Sequence, residues 1–387
     1  MMKNTIILAA GPNGLGVLRS LDLADIKCQI VTRTADDVAH LSRLPVAKHT
    51  IVGKGDSEQY GWLLEFLTAQ PSDTIVIPTS DWFVSFLTEY QEQLSQNCRF
   101  IIPDENLSDV LIDKAAETKT IGEIIPLPKT IQHIESKEQL LASIELPIIV
   151  KPRSHKHMVL GSKNIVINTD QELDAFFDKF SDVLTSVIAQ EIIGGEDSNQ
   201  WVCNCFFDQE GELTQAFTFN RLRLSPSHYG VTSYAVSQLN QDVIELSRKL
   251  GKALNYCGPA MIEFKKDPKD GVYKYIEINP RLGMCNYFDT SCGINNALLT
   301  HQMASGTFVK QEKQMVENVM FVSFYEDFFS RLRDGEKLFS ILKEYTKNRL
   351  TKRHIFIYFS WRDPFPAIKL GLRQLGSLFK AVFKKIF

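Results

Sequence analysis

The chain begins "NTIILAAGPNGLGVLRSLDLADIKCQIVTRT", where an unbroken apolar run, Thr5 to Ala10, stops at a glycine-rich turn. A helical stretch follows, then a second apolar run, "KCQIVTR". Continuous runs of this kind predict strands buried on both faces, as in parallel sheets. "DTIVIPTSD" (73–81) repeats the pattern, with a helix in "WFVSFLTEYQEQL" and a fourth strand in "RFIIPD" (99–104). Strands separated by helices predict a doubly wound parallel sheet over residues 1–105.

Beyond that point the pattern changes. "SDVLIDKAAETKTIGEIIPLPKTIQHI" reads as a helix and then a proline-punctuated extended piece, a natural boundary. "ELPIIVKPRSHKHMVLGSKNIVINTDQELDAFF" predicts strand, loop, strand and helix. Strands around glycine-rich turns continue through "FNRLRL", and a helix is expected over 240–255. The strands "GPAMIEFKK" and "GVYKYIEINPR" are joined by the polar turn "DPKD", a hairpin pattern. This part is α+β in character, without internal repeats.

Charge is uneven along the chain. Residues 343–387 hold eleven Lys/Arg against Glu344 and Asp363, a charge of +9, which leaves −12 on the rest of a chain whose total is −3. The seven cysteines are odd in number, scattered and without a CxxC pair, so reduced thiols in a cytoplasmic protein are expected, not a zinc site or a disulfide framework. The N-terminal apolar run is too short for a secretory leader, and no run of 18 apolar residues is present. No nucleic-acid partner is expected.

The chemistry concentrates in "KYIEINPRLGMCN" (274–286). In a strand, Glu277, Asn279 and Arg281 share one face, with Ile276 and Ile278 turned toward a core. Glu263 in the preceding strand adds a second carboxylate. Such hard oxygens suit Mg²⁺ beside phosphate, and Arg281 suits a phosphoryl or carboxylate oxygen. A salt-bridged exposed face, with Glu277 pairing to Arg281, would give the same pattern. Lys151 ends the apolar strand "LPIIVKP" as a point charge for phosphate, and "RSHKHMVLGSKN" behind it reads as a flap. "AQEIIGGED" turns sharply and can offer backbone groups to an adenine edge, with Asp197 for ribose.

Arg221 and Arg223 alternate along one strand and could take a carboxylate. "AAGPNGLG" reads G-x-x-G-x-G, the wrong order for a dinucleotide fingerprint, and Arg33 ends the next strand where an acid would be needed, so no NAD site is expected. Thr79, Ser80 and Asp81 lie at the carboxyl edge of the sheet, where such sheets bind ligands.

In order, "IDKAAETK", "IIVKP", "AQEIIGGED" and "MIEFKK…YIEINPR" resemble the ATP-grasp superfamily of ATP-dependent ligases, over about residues 105–300. The resemblance implies an N-terminal Rossmann-like pre-ATP-grasp domain (1–105), then a two-lobed core. Its small lobe with a linker helix would span 106–190, its large lobe with the metal site 191–310, and a C-terminal extension 311–387. It implies that Lys114 and Lys151 contact ATP phosphates, that Gln190, Glu191 and Ile193 line the adenine pocket, and that Asp197 holds the ribose. Glu263, Glu277 and Asn279 would bind Mg²⁺ (or Mn²⁺), with Arg281 and Lys151 as the catalytic cations. Arg221, Arg223, Ser80 and Asp81 remain for substrate. The implied reaction joins a small-molecule carboxylate to an amine through an acyl-phosphate. A non-amine acceptor, a kinase, or a non-catalytic ATP-binding protein at a membrane are its rivals, and a homodimer is a common state for such enzymes.

The C-terminus departs from a compact ligase. In "DPFPAIKLGLRQLGSLFKAVFKKIF", Phe365, Ile368, Leu372, Leu375, Phe379, Val382 and Ile386 recur at helical spacing, with Lys369, Arg373, Lys380 and Lys384 as a second stripe. This predicts a basic amphipathic helix, to be docked on the protein, on the inner face of an anionic membrane, or on a partner.

Overall fold

The computed structural model describes residues 4–153, 159–162, 164–228, 230–311 and 313–374. Three sheets organise them. The first is parallel, in the order β3-β2-β1-β4-β5, with β1 Thr5–Ala9, β2 Gln29–Thr32, β3 Ala47–Thr50, β4 Thr74–Pro78 and β5 Cys98–Arg99. Ile6, Ile7 and Leu8 are fully buried, as expected for a strand covered on both faces.

Two details of this sheet differ from the sequence pattern. The "RFIIPD" strand shrinks to Cys98–Arg99, because Pro103 cannot donate to a ladder and Asp104 already caps the next helix, accepting from Leu107 N at 2.9 Å. Phe100 and Ile102 pack against the core instead. β3, "AKHT", gave no signal because it is a half-exposed edge without apolar alternation.

The glycines of the first turn serve packing. A Cβ on Gly14 would lie 2.5 Å from Ala9 Cβ, and one on Gly16 would lie 2.6 Å from Asn286 Oδ1. They let the helix Gly11–Asp22 approach its own strand on one side and the large lobe on the other.

The second sheet is antiparallel, in the order β6-β9-β7-β8: β6 Thr130–Ile131, β7 Ile148–Pro152, β8 Ile165–Ile167 and β9 Val187–Glu191. Between the first two sheets the expected single helix is two, Glu105–Ile112 and Lys114–Gly122. Asp113 divides them. Its carboxylate accepts from Ala115 N at 2.8 Å and Ala116 N at 3.1 Å, capping the second helix. Half of the expected flap falls outside the described residues, since 154–158 and 163 are among those not described.

The third sheet has seven strands in the order β14-β13-β10-β11-β12-β15-β16. These are β10 Gln200–Phe207, β11 Leu213–Ser225, β12 Val231–Ser237, β13 Gly258–Lys266, β14 Tyr273–Asn279, β15 Met320–Val322 and β16 His354–Phe356. The β13–β14 hairpin forms as its pattern predicts, with Glu263 opposite Glu277. The strict alternation of "YIEIN" does not hold, however. A bulge shifts the register so that Tyr275 and Ile278 both enter the core, while Ile276 is only half-buried.

β15 and β16 come from the C-terminal extension, where the sequence pattern offered only a helix. Two ion-pair systems fasten that extension. Arg223 grips Asp327 through Nε and Nη2 at 2.8 and 2.9 Å and donates to Glu344 at 3.0 Å. Arg19, fully buried, donates to Asp363 and to the carbonyls of Ile357, Tyr358 and Asp363.

The helix over 365–374 docks its Leu370 against the N-terminal core, and Arg43 stacks over Phe365 at 3.5 Å. Ile368 and Leu372, members of its expected apolar stripe, are exposed beside Lys369 and Arg373. Residues 375–387, with Leu375, Phe379, Lys380, Val382, Lys384 and Ile386, lie outside the described residues.

Candidate active site

The edge hairpin of the large sheet sets the geometry. Directly opposed residues on antiparallel strands hold their Cβ atoms about 5 Å apart, and like charges there repel. Glu263 and Glu277 are such a pair, so each needs a cation. Arg221, on β11, reaches across β10 and binds Glu263 with two hydrogen bonds of 2.6 Å. Burial pulls the Arg221 guanidinium pKa down, but Glu263 outweighs it and leaves it raised. Lys114 lies 3.6 Å from Glu277 and 2.7 Å from Glu117. Burial also works against its charge, and Glu117 with Glu277 reverses the effect, so its pKa is raised.

Arg281, just past the end of β14, donates to Asn279 Oδ1 at 3.0 Å and grips Asp81 of the N-terminal domain at 2.8 and 2.9 Å. A cavity of about 70 Å³ opens between that domain and the end of β14, lined by Asp81, Val84, Leu111, Lys114, Glu277 and Asn279 among others. Glu277 thus lies beside Lys114, while Arg281 grips Asp81.

The four-stranded sheet meets this edge from the other side. Lys151 on β7 donates to Gln190 Oε1 at 2.8 Å, and Gln190 donates to Thr130 at 2.9 Å. The backbone N–H of Lys114 donates to the carbonyl of Arg153 at 2.7 Å, joining the helix start to the end of β7. Glu191 accepts from Lys129 N at 2.8 Å and from Lys274 of β14 at 3.1 Å, a bridge between lobes. Ile193 is buried next to this bend. Asp197 accepts from Leu224 N at 3.1 Å and sits 3.1 Å from His228 Nδ1, so it is held by its own fold.

Two expected substrate residues need correction. Arg223 does not share a ligand-facing side with Arg221. Register shifts on either side of Arg223 turn it to Asp327 and Glu344, where it anchors the extension. The Ser80 hydroxyl caps the helix Asp81–Glu89, accepting from Phe83 N. Thr79 is buried and ties the β1 and β4 ends together, accepting from Ala10 N and donating to Leu8 O, both at 2.9 Å. Glu117 was overlooked. It is buried, accepts from the Tyr275 hydroxyl and orients Lys114. Its signal was the i,i+3 spacing from Lys114 within "KAAE".

The donor set fits a hard divalent cation. Glu263 and Glu277 face each other in register, and Asn279 follows two positions on, all oxygen ligands. Both oxygens of Glu263 are held by Arg221, so a positive charge already stands beside the place a metal would take. Among the described residues no group of three or more His, Cys, Asp or Glu forms a metal cluster.

The polypeptide path around this site has close counterparts. The structure is similar to a biotin carboxylase–β,γ-ATP complex from Campylobacter jejuni, with a TM-score of 0.64 and 17% identity, covering 83% of this chain and 74% of that one. It is similar to an L-amino acid ligase from Bacillus licheniformis, with a TM-score of 0.60 and 15% identity, over 82% and 78% of the two chains. The fold is that of the ATP-grasp enzymes. In sequence, a D-aspartate ligase from Enterococcus faecium (strain Aus0004) is 26% identical over 242 residues, 58% of this chain and 56% of that protein. The chain thus matches little more than half the length of that relative. No protein-family model matches it.

Proposed function

We propose that the protein is an ATP-dependent carboxylate–amine ligase with an amino acid or amino-bearing precursor as one partner. A carboxylate oxygen attacks the γ-phosphorus of ATP and ADP leaves. The amine then attacks the acyl-phosphate carbon, phosphate leaves, and the nitrogen loses its proton. The observation that carries this reading is the opposed pair Glu263 and Glu277, with Lys114 beside it and Arg281 at the strand end.

In this reading Lys114 and Lys151 bind the nucleotide phosphates. Gln190, Glu191 and Ile193 line the adenine pocket and Asp197 lies toward the ribose. Glu263, Glu277 and Asn279 would hold Mg²⁺, or Mn²⁺ with its similar oxygen preference, which when bound neutralises charge between the phosphates. Arg281 stabilises the transferred phosphoryl group by forked hydrogen bonds. The N-terminal domain acts as the pre-ATP-grasp domain and offers Asp81 to the substrate end, while Arg221 neutralises Glu263 until ligands arrive. We further propose that the enzyme is cytoplasmic and works against the inner face of an anionic membrane.

The test is ADP release across a panel of carboxylates and amino acids, with wild type and Glu277→Gln. Turnover with at least one pair, phosphate freed instead of left on the product, and a roughly 10²–10³-fold lower rate in the variant are expected. Undiminished activity in a folded Glu277→Gln protein would refute the metal assignment, and phosphate retained on the product would make the enzyme a kinase.

A further inference from the structure

We infer that the C-terminal extension builds an interfacial docking surface for an anionic lipid bilayer, wider than the basic helix alone. This deepens the membrane part of the proposed function and stands apart from the ATP chemistry, since binding can be read without substrate.

Exposed apolar side chains are not spread evenly. Among the described residues, every aromatic side chain in the exposed apolar set lies in the extension: Phe324, Tyr325, Phe329, Phe339 and Trp361. Trp361 is 85% exposed. Several of these are contiguous. Tyr325 and Phe329 pack at 4.5 Å and Phe359 and Trp361 at 5.0 Å. Phe324, Tyr325 and Phe359 line one apolar groove of about 160 Å³, whose far wall is the helix over 365–374. That helix turns Ile368 and Leu372 outward.

The charge around this surface selects the partner. In residues 343–374 the two acids are spent internally, Glu344 on Arg223 and Arg331, and Asp363 on Arg19. Lys343, Lys347, Lys352, Arg362 and Lys369 are exposed and have no ion pair among the described residues. The 13 residues after Gln374, "LGSLFKAVFKKIF", add three lysines and no acid. Aromatic rings and aliphatic side chains flanked by uncompensated lysines complement an anionic headgroup layer, with rings at the acyl boundary and lysines at the phosphates. A protein partner would need acids to match the lysines, and a second copy would bring the same positive charge.

The surface lies at the opposite end of the large sheet from the candidate active site. Six strand spacings separate β14 from β16, roughly 30 Å along the sheet. Changes to Phe329 or Trp361 therefore leave the nucleotide-binding residues untouched.

The full chain is floated with vesicles of phosphatidylcholine alone and of phosphatidylcholine mixed with phosphatidylglycerol, at low and high salt, while tryptophan emission is recorded. Binding only to the anionic vesicles, weakened by salt, with a blue shift that Trp361→Phe abolishes, is expected. The pair Phe329→Ser and Trp361→Ser should lower binding roughly ten-fold or more, since both rings are withdrawn from the acyl boundary. Its melting temperature should stay unchanged. Failure to float with anionic vesicles overturns the proposal. So does full binding by a folded double variant, which would leave the contact to the last 13 residues. A dimer in solution that the same double variant dissolves would show instead that a second copy covers the face.

Discussion

The seven-stranded sheet ends in two unlike edges, and two arginines two residues apart serve them. Arg221 and Arg223 both lie on β11 and both form a forked pair with a carboxylate. Arg221 points along the sheet to Glu263 at the β13–β14 edge. Arg223, displaced by register shifts, points to Asp327 and holds the extension that supplies β15 and β16. The difference lies in the acids. Glu263 keeps 15% of its side chain exposed, next to a second carboxylate, so its charge remains available to a ligand. Asp327 keeps 1% and is also bound by the Tyr345 and Ser233 hydroxyls. The same interaction leaves a partly open carboxylate pair at one edge and makes a closed fastening at the other.

Removing each arginine should separate the two uses. Arg223→Met leaves Asp327 buried without its main cation, which costs about 3–5 kcal/mol. Thermal melts should show that loss with or without added Mg²⁺. Arg221→Met strips Glu263 at a more open site, so a smaller loss of about 1–3 kcal/mol is expected. Here Mg²⁺ alone should restore part of the melting temperature, because the opposed carboxylates Glu263 and Glu277 are left without their larger counter-charge. Equal losses and no response to Mg²⁺ in either variant would erase the distinction between the edges.

How much of this could be read from residues alone follows from the range of each interaction. Thr5–Ala9 and Thr74–Pro78 are buried on both faces, so their own composition declares them. The hairpin holding Glu263 and Glu277 was legible because the turn and both strands lie within 22 consecutive residues, 258–279. β15 and β16 have three residues each and exist only through their neighbours, a context no local pattern carries. Arg223 finds Asp327 104 residues away, so its role could not be told from that of Arg221. The bulge at Ile276 was equally hidden, since alternating Ile and polar residues predict an even strand and the register shift arises only on pairing with β13.

Both edges show buried charge tolerated by pairing, and the layer between them offers the counter-case. Asp289, in the helix Asn286–Ser291, is fully buried and has no cation in an ion pair with it among the described residues. One oxygen accepts from Asn296 Nδ2 at 3.2 Å, while Oδ1 has no hydrogen-bond partner. Burial pushes its pKa well above the ordinary carboxylate range. If pairing is what permits charge at the edges, this carboxyl is neutral in the folded protein. A raised folded pKa contributes stability fully at pH values below about 3.9, where the unfolded chain is protonated too, and loses it as pH rises. Asparagine matches the neutral acid in shape and does not titrate. Asp289→Asn should therefore melt above wild type at about pH 8, with the gap closing toward about pH 4. Melting curves across pH detect the effect as a difference in slope. A variant that instead falls below wild type as pH rises would mean that Asp289 is charged, and that the interior tolerates an unpaired carboxylate where the edges do not.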